Sequence, residues 1–199
     1  MSGRDLWSRL VLTLATLGVL GLSGCATAPP QRPQDACAIF SEKPKWYKAA
    51  RKAEAKWGTP VQVQLAIIRA ESGFRHDARP PRERLLGVPL WRASSAYGYP
   101  QAKDGTWDWY REKTGNRGAR RTNFADAVDF VGWYTDVSQR TLGISKWDAY
   151  NQYLAYHEGH GGYKRGTYKG KAWLMGVARK VDSYARTYGA QLASCRRTL

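Results

Sequence analysis

The sequence predicts a mainly α fold in a single domain, on three observations. An apolar run from Val61 to Ala70 stands between Thr59-Pro60, which reads as an N-cap and first helical residue, and Gly73, which reads as a stop. After Asn123, the residues Phe124, Ala127, Val128, Val131, Tyr134 and Val137 recur at helical spacing, and Asp126 completes a capping-box-like start. Strand signals are poor, and only the stretch near residues 94–102 reads as a short extended or hairpin segment.

The first residues read as an address rather than as part of the fold. Arg4 and Arg9 form a basic start, and Leu10 to Leu22 is apolar but too short to span a bilayer. The stretch ends in Leu22-Ser23-Gly24-Cys25, which resembles the lipobox of bacterial lipoproteins. That resemblance implies a signal peptide over 1–24, lipidation of Cys25 and, with Ala26 next, residence at the outer membrane facing the periplasm. Residues 25–44 are Pro- and Gln-containing with little apolar periodicity, which suits a tether. The folded domain is expected over 45–199.

Within that domain helices are expected near 45–57, 60–72, 104–114, 123–142, 146–157 and 171–189. Trp107 and Tyr110 share one face of the third, while Trp109 projects elsewhere. Gly159, Gly161 and Gly162 suggest that the fifth ends there, with a mobile loop from Gly161 to Lys171. An oxidising compartment favours joining Cys37 to Cys195, near the two ends of the folded part; two unrelated buried thiols are the alternative.

Charge narrows the partners. The chain carries 32 Lys+Arg against 16 Asp+Glu, for +16; without Arg4, Arg9 and Asp5 the balance is 30 against 15, or +15. Such a protein attracts polyanions. A periplasmic protein seldom meets nucleic acid, whereas cell-wall stem peptides and the membrane surface both carry negative charge. Arg75, Arg79, Arg82, Arg84 and Arg92 cluster after Glu71, as a polyanion-binding patch or a solvated basic loop. Nine Trp and 12 Tyr are many for this length and suit sugar rings, although most belong in a core.

Glu71 is the candidate acid. It falls in the last turn of a largely buried helix, where desolvation and the negative end of the helix dipole both raise a carboxyl pKa. A carboxylic acid protonated near neutral pH is what glycosidic cleavage needs. The commoner fate of such a Glu is a solvated helix end.

Three segments then line up. Glu71-Ser72-Gly73 resembles the Glu-Ser motif of the soluble lytic transglycosylase (SLT) family, whose domain is lysozyme-like. Ala96-Tyr97-Gly98-Tyr99-Pro100-Gln101 resembles its Gly-Leu-Met-Gln segment, and Ala155-Tyr156-His157-Glu158-Gly159 its Ala-Tyr-Asn-Ala-Gly segment. The departures are Tyr99-Pro100 for Leu-Met and His157-Glu158 for Asn-Ala; Pro100 removes a backbone donor.

The resemblance implies that Glu71 is catalytic, and that Ser72, Gly98, Tyr99, Gln101, Tyr156 and Glu158 contact or orient substrate, with Tyr156 hydrogen-bonding Glu71. It implies cleavage between N-acetylmuramic acid and N-acetylglucosamine with closure to an anhydro end, and needs no metal or cofactor. A lysozyme-type hydrolase is the closest rival. It needs a second carboxylate about 5–9 Å from the acid, and Glu83, Asp104 and Glu158 are the candidates. A non-catalytic wall-binding lipoprotein is the rival of another class. His76, His157 and His160 do not have the spacing of a metalloprotease helix.

Overall fold

The run beginning at Val61 becomes the central helix of a mainly helical domain. A computed structural model describes residues 28–85, 88–92 and 94–199, and the side chains of 83–90 lie outside the description. The signal segment and Cys25 also lie outside the described residues. The helices are α1 (Ala36–Glu42), α2 (Pro44–Trp57), α3 (Val61–Ser72), α4 (Asp104–Thr114), α5 (Phe124–Leu142), α6 (Ala149–Arg165) and α7 (Ala172–Cys195). The strands β1 (Arg82–Leu85) and β2 (Val88–Arg92) form one antiparallel pair, with Arg82 opposite Arg92 and Leu85 opposite Val88.

Helix α3 is buried on nearly every side, with Leu65, Ala66, Ile67 and Ile68 all fully enclosed. It packs against α7, α5, α2 and α6. A helix apolar all round belongs at the centre of a domain, and each such Leu or Ile contributes about 1.5–3 kcal/mol by leaving water. Its start differs from the sequence expectation. Pro60 is the N-cap, and the Thr59 hydroxyl instead lies 2.5 Å from that of Thr135 on α5. The Val61 N–H donates to Glu54 at 3.3 Å, so a neighbouring carboxylate takes over the capping role. Its end is as expected, with Gly73 left-handed at φ 58°.

The partner helix α5 also starts as read, since the Asn123 side chain accepts from the N–H groups of Ala125 and Asp126. At its head Trp46 stacks on Phe124 with ring centroids 3.9 Å apart, and Tyr99 meets both edge-on.

Four elements depart from the expectation. α1 lies inside the span read as a tether; Asp35 caps it, and the Ala36 N–H donates to Gln191 of α7 at 2.8 Å. The expected pairing does hold here, since Cys37 and Cys195 are disulfide-bonded over a separation of 158 residues. The β1–β2 hairpin falls where a basic loop was expected. Pro89 and the arginines blur the alternation of a strand, and a two-stranded ribbon tolerates both. The expected segment near 94–102 is a tight turn closed by a single bridge, Tyr97 to Ala102.

The fourth is α6. It begins at Ala149, capped by Asp148, and continues to Arg165. Gly159 does break it, at φ 73° and ψ 158°, a conformation open in practice to glycine alone. Helical geometry then resumes, so the run from Gly161 to Lys171 is helix followed by a 3-10 turn at Thr167–Gly170 rather than a loop.

Candidate active site

Glu71 sits in the last turn of α3, where the helix leaves the core and meets a cleft of about 360 Å³. Gln101, Phe130, Tyr134, Tyr156, His157 and Glu158 line it with Glu71. Glu71 is partly exposed and lines this cleft. Burial pushes its carboxyl up to about 8, while a hydrogen bond from Tyr153 pulls the other way. At pH 7 such a group is about nine-tenths protonated. The elevated acid expected from the sequence is therefore present, with desolvation as the leading cause.

The tyrosine contact differs from the expectation. Tyr156 lines the cleft, but its hydroxyl donates to the Pro100 carbonyl at 2.6 Å. Tyr153, one turn earlier on α6, is the tyrosine whose hydroxyl lowers the Glu71 pKa. Burial raises both hydroxyls well above the ordinary tyrosine range, and the charge of Glu71 adds to it. Both thus remain protonated donors. The sequence offered a signal for Tyr153 in its i, i+3 spacing from Tyr156. Pro100 lacks a donor, but its carbonyl fixes the tyrosine that walls the cleft.

Gln101 is held by an unusual backbone. Its φ is 47°, and its side-chain amide donates to the carbonyls of Ala78 and Gly98, each at 2.8 Å. Both N–H groups being used, Oε1 is left as the acceptor for the cleft. Gly98 has φ 73°, and a Cβ there would sit 2.3 Å from the Arg121 carbonyl oxygen, so it shapes the turn and does not line the cleft.

Two more expected contacts fall elsewhere. The Ser72 hydroxyl is buried and donates to the Ile68 carbonyl at 3.1 Å. Tyr99 is 2% exposed and belongs to the core beside Trp46 and Phe124. The turn at 98–101 points Tyr99 inward so that Gln101 can reach the cleft.

The candidate second carboxylates separate cleanly. Glu158 shares the cleft, but its side chain is only 4% exposed and is bound by Lys171 at 2.7 and 2.9 Å, by Thr167 and by His157 at 3.1 Å. Lys171 above all, then Thr167, lowers its pKa to about 2. Asp104 is 63% exposed, pairs with Arg121 at 2.7 Å and is outside the cleft lining. The Glu83 side chain lies outside the described residues.

His160 stacks on Tyr134 and bonds Ser138 at 2.9 Å, and burial lowers its pKa. His76 stands 4.0 Å from Asp77. Of the arginine cluster, Arg75 donates to the Ser72 carbonyl, Arg92 to that of Pro80, and Arg79 covers the Tyr97 ring at 3.9 Å. These three brace the chain after α3; the Arg84 side chain lies outside the described residues.

A family model described as the transglycosylase SLT domain matches residues 12–195. The chain belongs to the SLT-domain family. No curated protein matches it. An SLT domain is lysozyme-like and mainly helical, which the described fold matches. The family match implies lytic-transglycosylase-type activity in general, with peptidoglycan as the substrate of the domain. In this SLT domain the cleft assembles Glu71 and Tyr156 from two helices and Gln101 from a turn, and buried Tyr153 acts on Glu71 from behind the lining.

Proposed function

We propose that this protein is a lytic transglycosylase that cleaves the bond between N-acetylmuramic acid and N-acetylglucosamine and leaves an anhydro-muramoyl end. The observation that carries this reading is one elevated acid, Glu71 at about 8, facing a cleft whose other lining carboxylate among the described residues, Glu158, is consumed by Lys171, Thr167 and His157.

Glu71 gives its proton to the glycosidic oxygen as the bond from that oxygen to the muramoyl C1 breaks, and N-acetylglucosamine leaves with a free hydroxyl. The muramoyl N-acetyl oxygen stabilises the electron-poor C1. Glu71, now a carboxylate, takes the proton of the muramoyl C6 hydroxyl as O6 bonds to C1. Its proton is thereby restored and no water is consumed. The Tyr153 hydroxyl steadies the carboxylate between the two transfers. Gln101 presents Oε1 to a sugar hydroxyl or amide N–H. A retaining hydrolase would use a free, ionised second carboxylate across the ring, and the ion pair of Glu158 disfavours it in that role.

The lipobox-like start supports placing the enzyme in the periplasm, anchored through lipidated Cys25 to the outer membrane. The test is digestion of purified sacculi by the wild type and by Glu71→Gln. Anhydro-muramoyl ends from the wild type alone are expected. Intact reducing-end muramic acid would instead make it a hydrolase, and binding without turnover would make it a wall-binding protein.

A further inference from the structure

We infer that the cleft continues past His157 onto Trp173, where a further N-acetyl sugar of the glycan strand stacks on the indole; this rests on the glycan reading of the cleft. Trp173 is 60% exposed at the start of α7. Trp91 and Trp147 are also exposed, but of the three only Trp173 has a ring contact, among the described residues, with a residue lining the cleft. That residue is His157, its ring centroid 5.2 Å away at 79°. This perpendicular ring pair joins the cleft wall to an exposed indole.

The platform is fixed from beneath. Lys171, two residues before Trp173, is tied to Glu158 at 2.7 and 2.9 Å, and Thr167 bonds both Glu158 and the Gly162 carbonyl. The break at Gly159 lets α6 place His157 and Glu158 on this side before it resumes. A rigid aromatic with two side-chain torsions loses little entropy on binding. Its apolar face matches the C–H face of a pyranose. Because the Lys171 charge is already paired, the site selects a neutral ring rather than an anion.

The experiment measures binding of β-1,4-linked N-acetylglucosamine trimer and hexamer to full-length mature protein carrying Glu71→Gln, with and without Trp173→Ala, by calorimetry. The expected result is that Trp173→Ala weakens hexamer binding about tenfold and leaves the trimer unchanged, with Trp173→Phe recovering part of the loss. Unaltered melting of the variants excludes a folding effect. Equal hexamer affinity with and without Trp173 overturns this inference and leaves the transglycosylase reading standing. Binding of neither oligosaccharide overturns both.

Discussion

The hydroxyl of Tyr153 on α6 acts on Glu71 at the end of α3 and draws its pKa down, so the acid is tuned by a helix distant in sequence. This contact favours the carboxylate against the burial that disfavours it. Removing it should therefore move Glu71 further from the ordinary carboxyl range.

Tyr153→Phe is expected to shift the alkaline limb of kcat/KM upward from its wild-type position near pH 8, because the donor that lowers the Glu71 pKa is gone. Turnover should fall by about tenfold as the carboxylate loses its orienting partner. A pH profile on soluble glycan strands measures both, and an unmoved limb would show that Tyr153 does not act on Glu71.

Glu71 also makes stability depend on pH. Its folded pKa is raised to about 8 from 4.5, so its contribution is fully present below 4.5 and is lost as pH rises through about 8. Glu71→Gln removes that loss. The variant should melt higher than the wild type, with the gap opening between pH 4.5 and 8 and constant above. Paired thermal melts across that range check it.

Glu158 has the opposite sign. Its pKa is lowered to about 2 by Lys171, Thr167 and His157, so its contribution is present above 4.5 and is lost as pH falls through about 2. Glu158→Gln should lower the Tm by a few degrees at neutral pH and should converge with the wild type in strong acid. Its anhydro product should persist at a rate within about tenfold of wild type, whereas loss of a general acid costs about 10²–10⁴-fold. Product analysis of the variant, alongside its Tm, decides between a wall residue and a second catalytic carboxylate.

Cys37→Ser, or reduction of the intact protein, should reduce stability by up to about 4–5 kcal/mol in the chain-entropy model for so long a loop. Denaturant midpoints with and without reductant measure this. Cleavage at ambient temperature should survive, since neither cysteine lines the cleft.

Much of this was legible locally. The Gly73 stop and the apolar run located α3 and put Glu71 at its end, and the spacing from Phe124 to Val137 located α5. What was missed depends on distant contacts. Thr59 had an ordinary capping context, yet Thr135 claims its hydroxyl. Tyr153 is one of 12 tyrosines; its i, i+3 spacing from Tyr156 puts the two on one face, but the packing of α6 on α3 decides which of them meets Glu71. Tyr99 lay in a motif segment facing the cleft, but the left-handed backbone at Gly98 and Gln101 turns it into the core. Helix α1 has seven residues, too few to show a period, and owes its place to Gln191 and Cys195 on α7.

The Cys37–Cys195 bond also has a mechanical side. Tension applied to the chain ahead of Cys37 passes through this covalent link straight into the last turn of α7. Helix α7 packs on both α3 and α6, so the bond braces the helices that carry Glu71 and Tyr153 when the protein is pulled from its N-terminal side.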